Sequence, residues 1–173
     1  MIFLSGHGLN DRSNRYFYLT ANANLDSLLS TAVPWSDIKG TVESLPGKVL
    51  FFIDTCHSGN ATGAMIAKGL PDDINRIVNK LASAENGVVV FASSTGKQVS
   101  LERADWGNGA FTKALVEGLQ GKAARDPSSG KITINMLDLY ISERVKELTG
   151  NRQTPATEKP KTMPDFPIAV AHR

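Results

Sequence analysis

Two uninterrupted apolar runs constrain the fold of this chain more than any other feature of its sequence. The runs cover Val49 to Ile53 and Val88 to Ala92, are rich in β-branched and aromatic residues, and stop at polar residues. Such runs are typical of strands that are covered on both faces in a parallel sheet. Segments with helical spacing separate and follow them, so the sequence predicts an α/β fold: a mostly parallel sheet with helices on both faces.

The 173 residues fit one domain, and we predict a single domain over residues 1–173. The other predicted elements are a first strand over residues 1–4 that ends in a glycine-flanked turn, a peripheral strand over residues 16–19, a helix from Ser36 to before Pro46, a helix over residues 71–85, a helix carrying Phe111, Leu115 and Leu119, a helix over residues 134–148, an irregular tail over residues 151–164, and a last strand over residues 166–170.

Charge and cysteine content exclude several classes of function. The 19 Lys and Arg nearly balance the 17 Asp and Glu, so no electrostatic footprint for nucleic acid or for an anionic membrane is expected. No apolar run approaches the length of a membrane span and no signal sequence is seen, so we expect a cytoplasmic protein by default. Cys56 is the only cysteine, which excludes an intramolecular disulfide and a thiolate metal cluster.

A histidine and this cysteine are predicted at the ends of two strands. His7 closes the first predicted strand and Cys56 closes the strongest one. Ligands and catalytic groups of open parallel sheets collect at the carboxyl ends of the strands. If the two strands are neighbours, the imidazole and the thiol therefore meet at one edge. The two residues are about 50 positions apart, which is also the spacing of His and Cys in caspases.

The sequence resembles the caspase-like cysteine peptidases, and within them the metacaspases and their bacterial relatives. The resemblance rests on residues 3–8 (FLSGHG) and 52–59 (FIDTCHSG), with weaker support from residues 92–94 (ASS), 109–112 (GAFT) and 153–155 (QTP). It implies a three-layer caspase-like fold and peptide-bond hydrolysis through an acyl-enzyme. Cys56 would be the nucleophile, His7 the base and then the acid, and the backbone N–H groups of Gly8 and Cys56 the oxyanion hole.

The resemblance also implies a substrate class. Asp54 lies two residues before Cys56, so strand alternation turns both side chains to one face. In metacaspases the matching Asp, with a Ser that corresponds to Ser5, lines a pocket for Arg or Lys, so we predict cleavage after a basic P1 residue. Ser93 and Ser94 are assigned to the same substrate site. The alternative for Asp54 is a cap on the loop that follows it.

One part of the family pattern has no counterpart in the sequence. The family takes a further acidic pocket residue, and its first strands, from a segment upstream of the His strand. Without that segment we expect a domain that is truncated at its N-terminus, with the first strand as an exposed apolar edge. A shortened chain, a partner chain that supplies the missing part, and a degenerate domain all stay open as explanations.

Several other residues have a functional and a structural interpretation. Asp72 and Asp73 suggest calcium activation, but acids in the first turn of a helix ordinarily complement its dipole, so no metal and no cofactor are predicted. We expect His57 to face away from Cys56 and Trp106 to anchor its loop. Glu102 and Asp105 are predicted to border the substrate cleft, and Lys122, Arg125 and Lys131 are either self-cleavage sites or solvated surface.

The leading hypothesis is therefore a cysteine endopeptidase that acts on a peptide or protein substrate with a basic P1 residue. Two alternatives belong to other classes. One is an interaction domain that retains the motifs without activity, because a lone Cys is ordinarily an inert buried residue and a lone His a structural one. The other is a Cys/His hydrolase that acts on a non-peptide acyl substrate.

Overall fold

The apolar runs form the centre of the molecule. The computed structural model describes residues 1–13, 15–57, 87–94, 100–126 and 128–171, and only the backbone of residues 56, 57 and 105. The strands β4 (Val49–His57) and β5 (Val88–Ala92) contain the two runs, and their residues from Val49 to Ile53 and Val88 to Ala92 are buried apart from the half-buried Leu50. The helix predicted over residues 71–85 lies outside the described residues.

The remaining elements of the described residues are mostly short. The strands are β1 (Ile2–Asn10), β2 (Tyr16–Leu19), β3 (Ala32–Pro34), β6 (Glu102–Arg103), β7 (Asn108–Gly109), β8 (Lys131–Thr133), β9 (Ala156–Glu158) and β10 (Pro167–Val170). The α-helices are α1 (Leu28–Thr31), α2 (Trp35–Ser44), α3 (Ala110–Glu117) and α4 (Ile134–Thr149). None of these helices is long and apolar enough to cross a bilayer.

The central sheet has six strands in the order β3-β2-β1-β4-β5-β9. β1, β4 and β5 are parallel to one another, as predicted, but β2, β3 and β9 pair antiparallel with their neighbours. The sheet is therefore mixed rather than mostly parallel. A short loop joins β1 to β2, and a connection of that length permits only an antiparallel pair.

Helices pack on both faces of this sheet, as the apolar runs predict. On one face, α3 and α4 cover Phe52 and Phe91, whose rings stack with centroids 4.7 Å apart. On the other face, α2 covers Phe51 through Trp35, with ring centroids 6.2 Å apart. Burying a side chain of this size contributes about 1.5 to 3 kcal/mol, so the two stacks fix β4 between its helical layers.

The first strand is longer than predicted and does not end at His7. Gly8, Leu9 and Asn10 pair with β2, which extends β1 as far as Asn10. β4 likewise continues through Cys56 to His57. The glycines at positions 6 and 8 suggested a turn, but pairing with the neighbouring strands keeps this segment extended.

The prediction that β1 forms an exposed edge is wrong for the strand as a whole. β2 and β3 lie beyond it, so β1 is an interior strand of the sheet. Among the described residues, however, β2 pairs only with Gly8, Leu9 and Asn10. Phe3, which precedes this paired part, is 45% exposed. The antiparallel pair of β2 and β3 therefore covers the carboxyl-terminal part of β1.

The tail predicted to be irregular contains a strand of the main sheet. β9 pairs antiparallel with β5, with Ala92 opposite Ala156 and Val90 opposite Glu158. The last predicted strand is confirmed as β10, which pairs with β8 in a separate two-stranded sheet. Pro155 and Pro160 flank β9 and suggested loop, but neither interrupts its pairing with β5, because both lie outside the paired residues.

Candidate active site

The residues predicted as a catalytic pair lie side by side in the sheet. In the parallel ladder of β1 and β4, His7 is directly opposite Cys56. Adjacent strands are about 4.8 Å apart, so the two backbones are as close as neighbouring strands allow. Of Cys56 and His57 the structure describes the backbone but not the side chains. The register alone therefore brings the two predicted residues together.

His7 is on the face of the sheet that carries α3 and α4. Alternate residues of a strand point to the same face, so Phe3 and His7 share a face of β1. Phe3 is paired with Phe52, which belongs to the α3–α4 core, and directly paired residues of adjacent strands also point to the same face. Phe3, Ser5 and His7 are nevertheless exposed. The imidazole of His7 thus lies on an open part of this face.

Two tyrosines of β2 explain both glycines that flank His7. The Tyr18 hydroxyl crosses Gly6 and donates to the Ser5 carbonyl at 2.6 Å. A Cβ atom at Gly8 would lie 1.9 Å from the hydroxyl oxygen of Tyr16. Gly8 is therefore required by the packing of Tyr16. The role of its N–H group in an oxyanion hole stays a prediction.

The two residues predicted to form a basic P1 pocket are also direct neighbours. Ser5 of β1 is paired with Asp54 of β4, one alternation before the pair of His7 and Cys56. Ser5 is exposed, whereas Asp54 is 4% exposed. Ser5 is two residues after Phe3 and Asp54 is two residues after Phe52, so both side chains are on the α3–α4 face. The structure thus places Ser5, His7 and Asp54 on one side of the sheet.

The Asp54 carboxylate is bound on one oxygen only. Its Oδ2 accepts hydrogen bonds from the N–H of Thr112, at 3.2 Å, and from the Thr112 hydroxyl, at 2.5 Å. Its Oδ1 is buried and has no hydrogen-bond partner among the described residues. Asp54 thus caps the first turn of helix α3, 58 residues away, whereas the loop that follows Asp54 lies outside the described residues.

Burial dominates the electrostatics of this carboxylate. It raises the pKa of Asp54, against the opposing effect of the hydrogen bonds from Thr112 and of the nearby Ser93 hydroxyl. The negative charge of Glu102 raises this pKa further. The Ser93 hydroxyl is close enough to favour the charged form of Asp54, and it also shares a hydrogen bond with the Ser100 hydroxyl, at 2.6 Å. A cation that reached Oδ1 would favour the charged form of Asp54.

The other two predicted substrate residues are buried at the end of β5. Ser93 and Ser94 are 3% and 5% exposed, and the Ser93 N–H donates to the Ile53 carbonyl at 2.9 Å. Ser93 thus continues β5 beside Asp54. The structure brings Ser93 to the carboxylate, while the described contacts of Ser94 connect it to no other predicted residue.

Sequence reasoning assigned no role to Gln153, which holds this region together. Its side chain is fully buried, donates from Nε2 to the Ser93 carbonyl at 2.7 Å, and accepts at Oε1 from the Leu101 N–H at 2.8 Å. The Leu101 carbonyl in turn accepts from Ala110, the first residue of α3, at 2.9 Å. Gln153 therefore ties the end of β5 to the segment that leads into α3. Its place in the QTP motif was the only signal in the sequence.

The remaining candidates have structural surroundings. Trp106 packs against the α3–α4 core with the Arg103 guanidinium 5.2 Å from its ring, as expected for a loop anchor. Lys122 pairs with Glu117 at 3.4 Å, whereas Glu102 and Arg125 are exposed. Asp72 and Asp73 lie outside the described residues, as does the side chain of Asp105. In the part of the chain that the structure describes, no group of three or more His, Cys, Asp and Glu residues could hold a metal ion.

Comparison with known families accounts for nearly the whole chain. A family model described as "Caspase domain", of the C14 peptidases, matches residues 1–166. The match begins with β1, includes the strands of His7 and Cys56, and continues past Gln153 to β9 and the start of the last predicted strand. No curated protein matches the chain significantly.

Proposed function

The chain belongs to the caspase-domain family of cysteine peptidases, and from that premise we propose that it cleaves peptide bonds after Arg or Lys with Cys56 and His7 as its catalytic pair. Family membership supports cysteine peptidase chemistry in general. The observation that carries the proposal to these two residues is the register of β1 and β4, which sets His7 opposite Cys56. The exposure of His7 leaves the imidazole accessible to a polypeptide.

The reaction that this pair performs has two stages. His7 takes the proton of the Cys56 thiol, and the sulfur attacks the scissile carbonyl carbon. The C–N bond then breaks, and His7 gives the proton to the leaving amine. In the second stage, water hydrolyses the thioester, releases the new carboxyl group and restores the thiol. The N–H groups of Gly8 and Cys56 stabilise the oxyanion in both stages, each at a scale of about 3 to 4 kcal/mol.

The preference for a basic P1 residue rests on Asp54. A buried carboxylate with one unpaired oxygen is unfavourable, and a guanidinium or ammonium group that binds this oxygen removes the penalty. Neutral P1 side chains leave it in place. Ser5, directly opposite Asp54, supplies a hydroxyl at the exposed side of the same pair. Because Oδ1 is buried, a basic side chain reaches it only when the groups around Asp54 move aside.

Covalent labelling tests the catalytic pair. A peptidyl-Arg chloromethyl ketone is expected to add its mass to Cys56, the only cysteine, so intact-mass spectrometry suffices to detect the adduct. His7→Ala should slow labelling and peptide turnover by at least about 10²-fold, the usual contribution of a general base. His57→Ala is the matched control and should label at the normal rate. A folded sample that neither labels nor cleaves any peptide would support the interaction domain instead.

Paired substrates test the specificity. Citrulline is a neutral isostere of arginine, so the ratio of kcat/KM for P1 Arg over P1 citrulline measures what the positive charge contributes. Asp54→Asn should lower this ratio by about 10²-fold or more, because a mismatch at a buried polar group is strongly discriminated. Ratios that stay equal in the wild type and in Asp54→Asn would show that another group selects the P1 residue. Thiol labelling without turnover of any peptide would point to a non-peptide acyl substrate.

A further inference from the structure

Asp54 is bound on one side by the protein itself: Thr112 makes two hydrogen bonds to its carboxylate, and both go to the same oxygen. Both the N–H and the hydroxyl of Thr112 donate to Oδ2. The second oxygen, Oδ1, is buried and accepts no hydrogen bond from the groups that the structure describes. The two oxygens of one side chain therefore have opposite environments.

Two donors on the same oxygen restrict the orientation of the carboxylate. A single hydrogen bond leaves the terminal torsion of an aspartate broad, since this torsion has no sharp staggered minima. The N–H and the hydroxyl approach Oδ2 from one residue of α3, and rotation of the carboxylate about this torsion would break both bonds. Oδ1 is thereby kept as the oxygen that Thr112 does not bind.

The start of α3 also limits the space around Oδ2. α3 begins directly beside the carboxylate, since a Cβ atom built at Gly109 would lie 3.0 Å from Oδ2. The start of α3 is itself anchored by the bond from the Ala110 N–H to the Leu101 carbonyl. Thr112, the third residue of the helix, is therefore held in place from a fixed helix end. The other polar groups that act on Asp54 are the Ser93 hydroxyl and the Glu102 carboxylate.

We propose that Thr112 is a specificity-positioning residue: it binds Oδ2 of Asp54 so that Oδ1 remains the unoccupied acceptor for the cationic group of the P1 side chain. This inference rests on the proposed selection of basic P1 residues by Asp54. Thr112 acts through Asp54 and touches neither the scissile bond nor the catalytic pair. It therefore contributes to the choice of substrate rather than to the chemical step.

Three substitutions of Thr112 form the test. Thr112→Val removes the hydroxyl donor and keeps the shape of the side chain, Thr112→Ala does so without any risk of steric overlap, and Thr112→Ser restores the hydroxyl. Thr133→Val is the matched control. Thr133 likewise binds near the start of a helix, where its hydroxyl accepts from the Met136 N–H at 3.3 Å, but it makes no bond to Asp54. Loss of the Thr133 hydroxyl weakens the start of α4, which is the effect expected when a threonine has only a structural role.

The expected result is a change in specificity without a uniform loss of activity. Thr112→Val and Thr112→Ala should lower the Arg-over-citrulline ratio of kcat/KM about tenfold, mainly through KM for the Arg substrate, with turnover of the citrulline substrate changed less than twofold. Thr112→Ser should return the ratio to within about twofold of the wild type. Thr133→Val should lower thermal stability and leave the ratio unchanged.

A second measurement reports on Asp54 directly. Carbon-13 NMR titration of the Asp54 side-chain carboxyl should give a higher pKa in Thr112→Val and Thr112→Ala than in the wild type, because a hydrogen bond to the charged form is lost. Thr112→Ser and Thr133→Val should titrate like the wild type. This readout requires only a folded protein.

The outcomes separate this inference from the proposed function. If Asp54→Asn abolishes the preference for Arg while Thr112→Val and Thr112→Ala keep both the ratio and the titration of the wild type, the positioning role is wrong and the P1 proposal stands. If Asp54→Asn itself leaves the ratio unchanged, the P1 proposal fails and the role of Thr112 fails with it. A wild-type protein that cleaves no peptide overturns both.

Discussion

At the scale of single residues, the shape of the strand that carries His7 depends on where side chains are missing. Gly6 and Gly8 have no Cβ, and the rings of Tyr18 and Tyr16 occupy the space beside them. Gly6 also has a φ of +154°, which L side chains rarely adopt. The two tyrosine rings of β2 pack against the two glycines of β1, so side-chain packing as well as backbone pairing joins these strands.

Gly8→Ala should therefore destabilise the fold, because the new methyl group overlaps the Tyr16 ring and pushes it out of the α2 core. Overpacking of this kind costs about 1 to 3 kcal/mol of unfolding free energy. Urea denaturation measures the loss. Gly40→Ala is the matched control: position 40 is exposed in α2 with open space around it, and the substitution should stabilise by up to about 1 kcal/mol. Equal effects at both positions would contradict this account of Gly8.

Glu117 is the most strongly paired carboxylate among the described residues. It accepts from Arg144 Nε at 2.8 Å and from the Tyr140 hydroxyl at 3.0 Å, and it pairs with Lys113 and Lys122. The Arg144 hydrogen bond is the main reason that the pKa of Glu117 falls to about 2. Burial raises the pKa of Tyr140 to about 12, with help from the same carboxylate. The cluster links α3 to α4.

Because the folded-state pKa of Glu117 is depressed, its contribution to stability is complete above the ordinary pKa of about 4.5 and is lost as the pH falls toward 2. Glu117→Gln should cost roughly 1 to 2 kcal/mol at neutral pH, the scale of a charged hydrogen bond partly screened by solvent. The difference from the wild type should shrink between pH 5 and pH 2 in denaturation experiments. Glu147→Gln, at a side chain that is 70% exposed, should have little effect at any pH. A difference that does not vary with pH would count against this interpretation.

At the scale of elements, the segment between β5 and α3 is organised by a side chain from outside it. Gln153 bonds the Ser93 carbonyl and the Leu101 N–H, and its own N–H donates to the Thr149 hydroxyl at 3.2 Å. The residue follows α4 and precedes β9, so one amide connects the end of a helix, the end of a strand and the lead into α3. Gln153 thereby holds together the end of β5 and the segment that leads into α3, which both lie beside Asp54.

Gln153→Leu preserves the volume and removes both bonds to the backbone. Two backbone groups lose their partners, at about 1 to 3 kcal/mol each when fully buried, so we expect a total loss of roughly 2 to 4 kcal/mol. Gln120→Leu, at an exposed position, should change the free energy of unfolding by less than about 0.5 kcal/mol. Chemical denaturation distinguishes the two variants. A Gln153→Leu protein as stable as the wild type would remove the structural importance assigned to this amide.

At the scale of the whole molecule, stability is concentrated in the middle of the sheet. β4 has a strand on each side and a helical layer on each face, and β5 lies between β4 and β9. β2 and β3 are short and lie at the other margin, where α1 has no buried residue. The site is built where these parts meet, with Asp54 in the well-covered centre and His7 on the less covered β1.

Hydrogen exchange should reproduce this gradient. Backbone amides of Phe51, Phe52 and Ile53 are expected to exchange last, by global unfolding, whereas those of β3 and of the exposed α1 exchange by local opening. The amide of Phe3 should be intermediate, because among the described residues β1 is paired there on the β4 side alone. NMR-detected exchange measures each amide. Protection of Phe3 equal to that of Phe52 would show that β1 is covered more completely than the described residues indicate.

The sequence by itself determined which segments form the centre and which residues are candidates for the chemistry. The apolar runs from Val49 to Ile53 and from Val88 to Ala92 specify buried strands through their local hydrophobicity. Short motifs identify His7 and Cys56 as the candidates for catalysis. Only the tertiary structure decided that β2 borders β1, that β9 joins the sheet, that Thr112 binds Asp54 and that Gln153 binds Ser93. Asp54 and Thr112 are 58 positions apart, and Ser93 and Gln153 are 60. Local patterns encode burial and propensity, whereas the partner of a buried polar group depends on how helices and strands pack, and no local pattern contains that information.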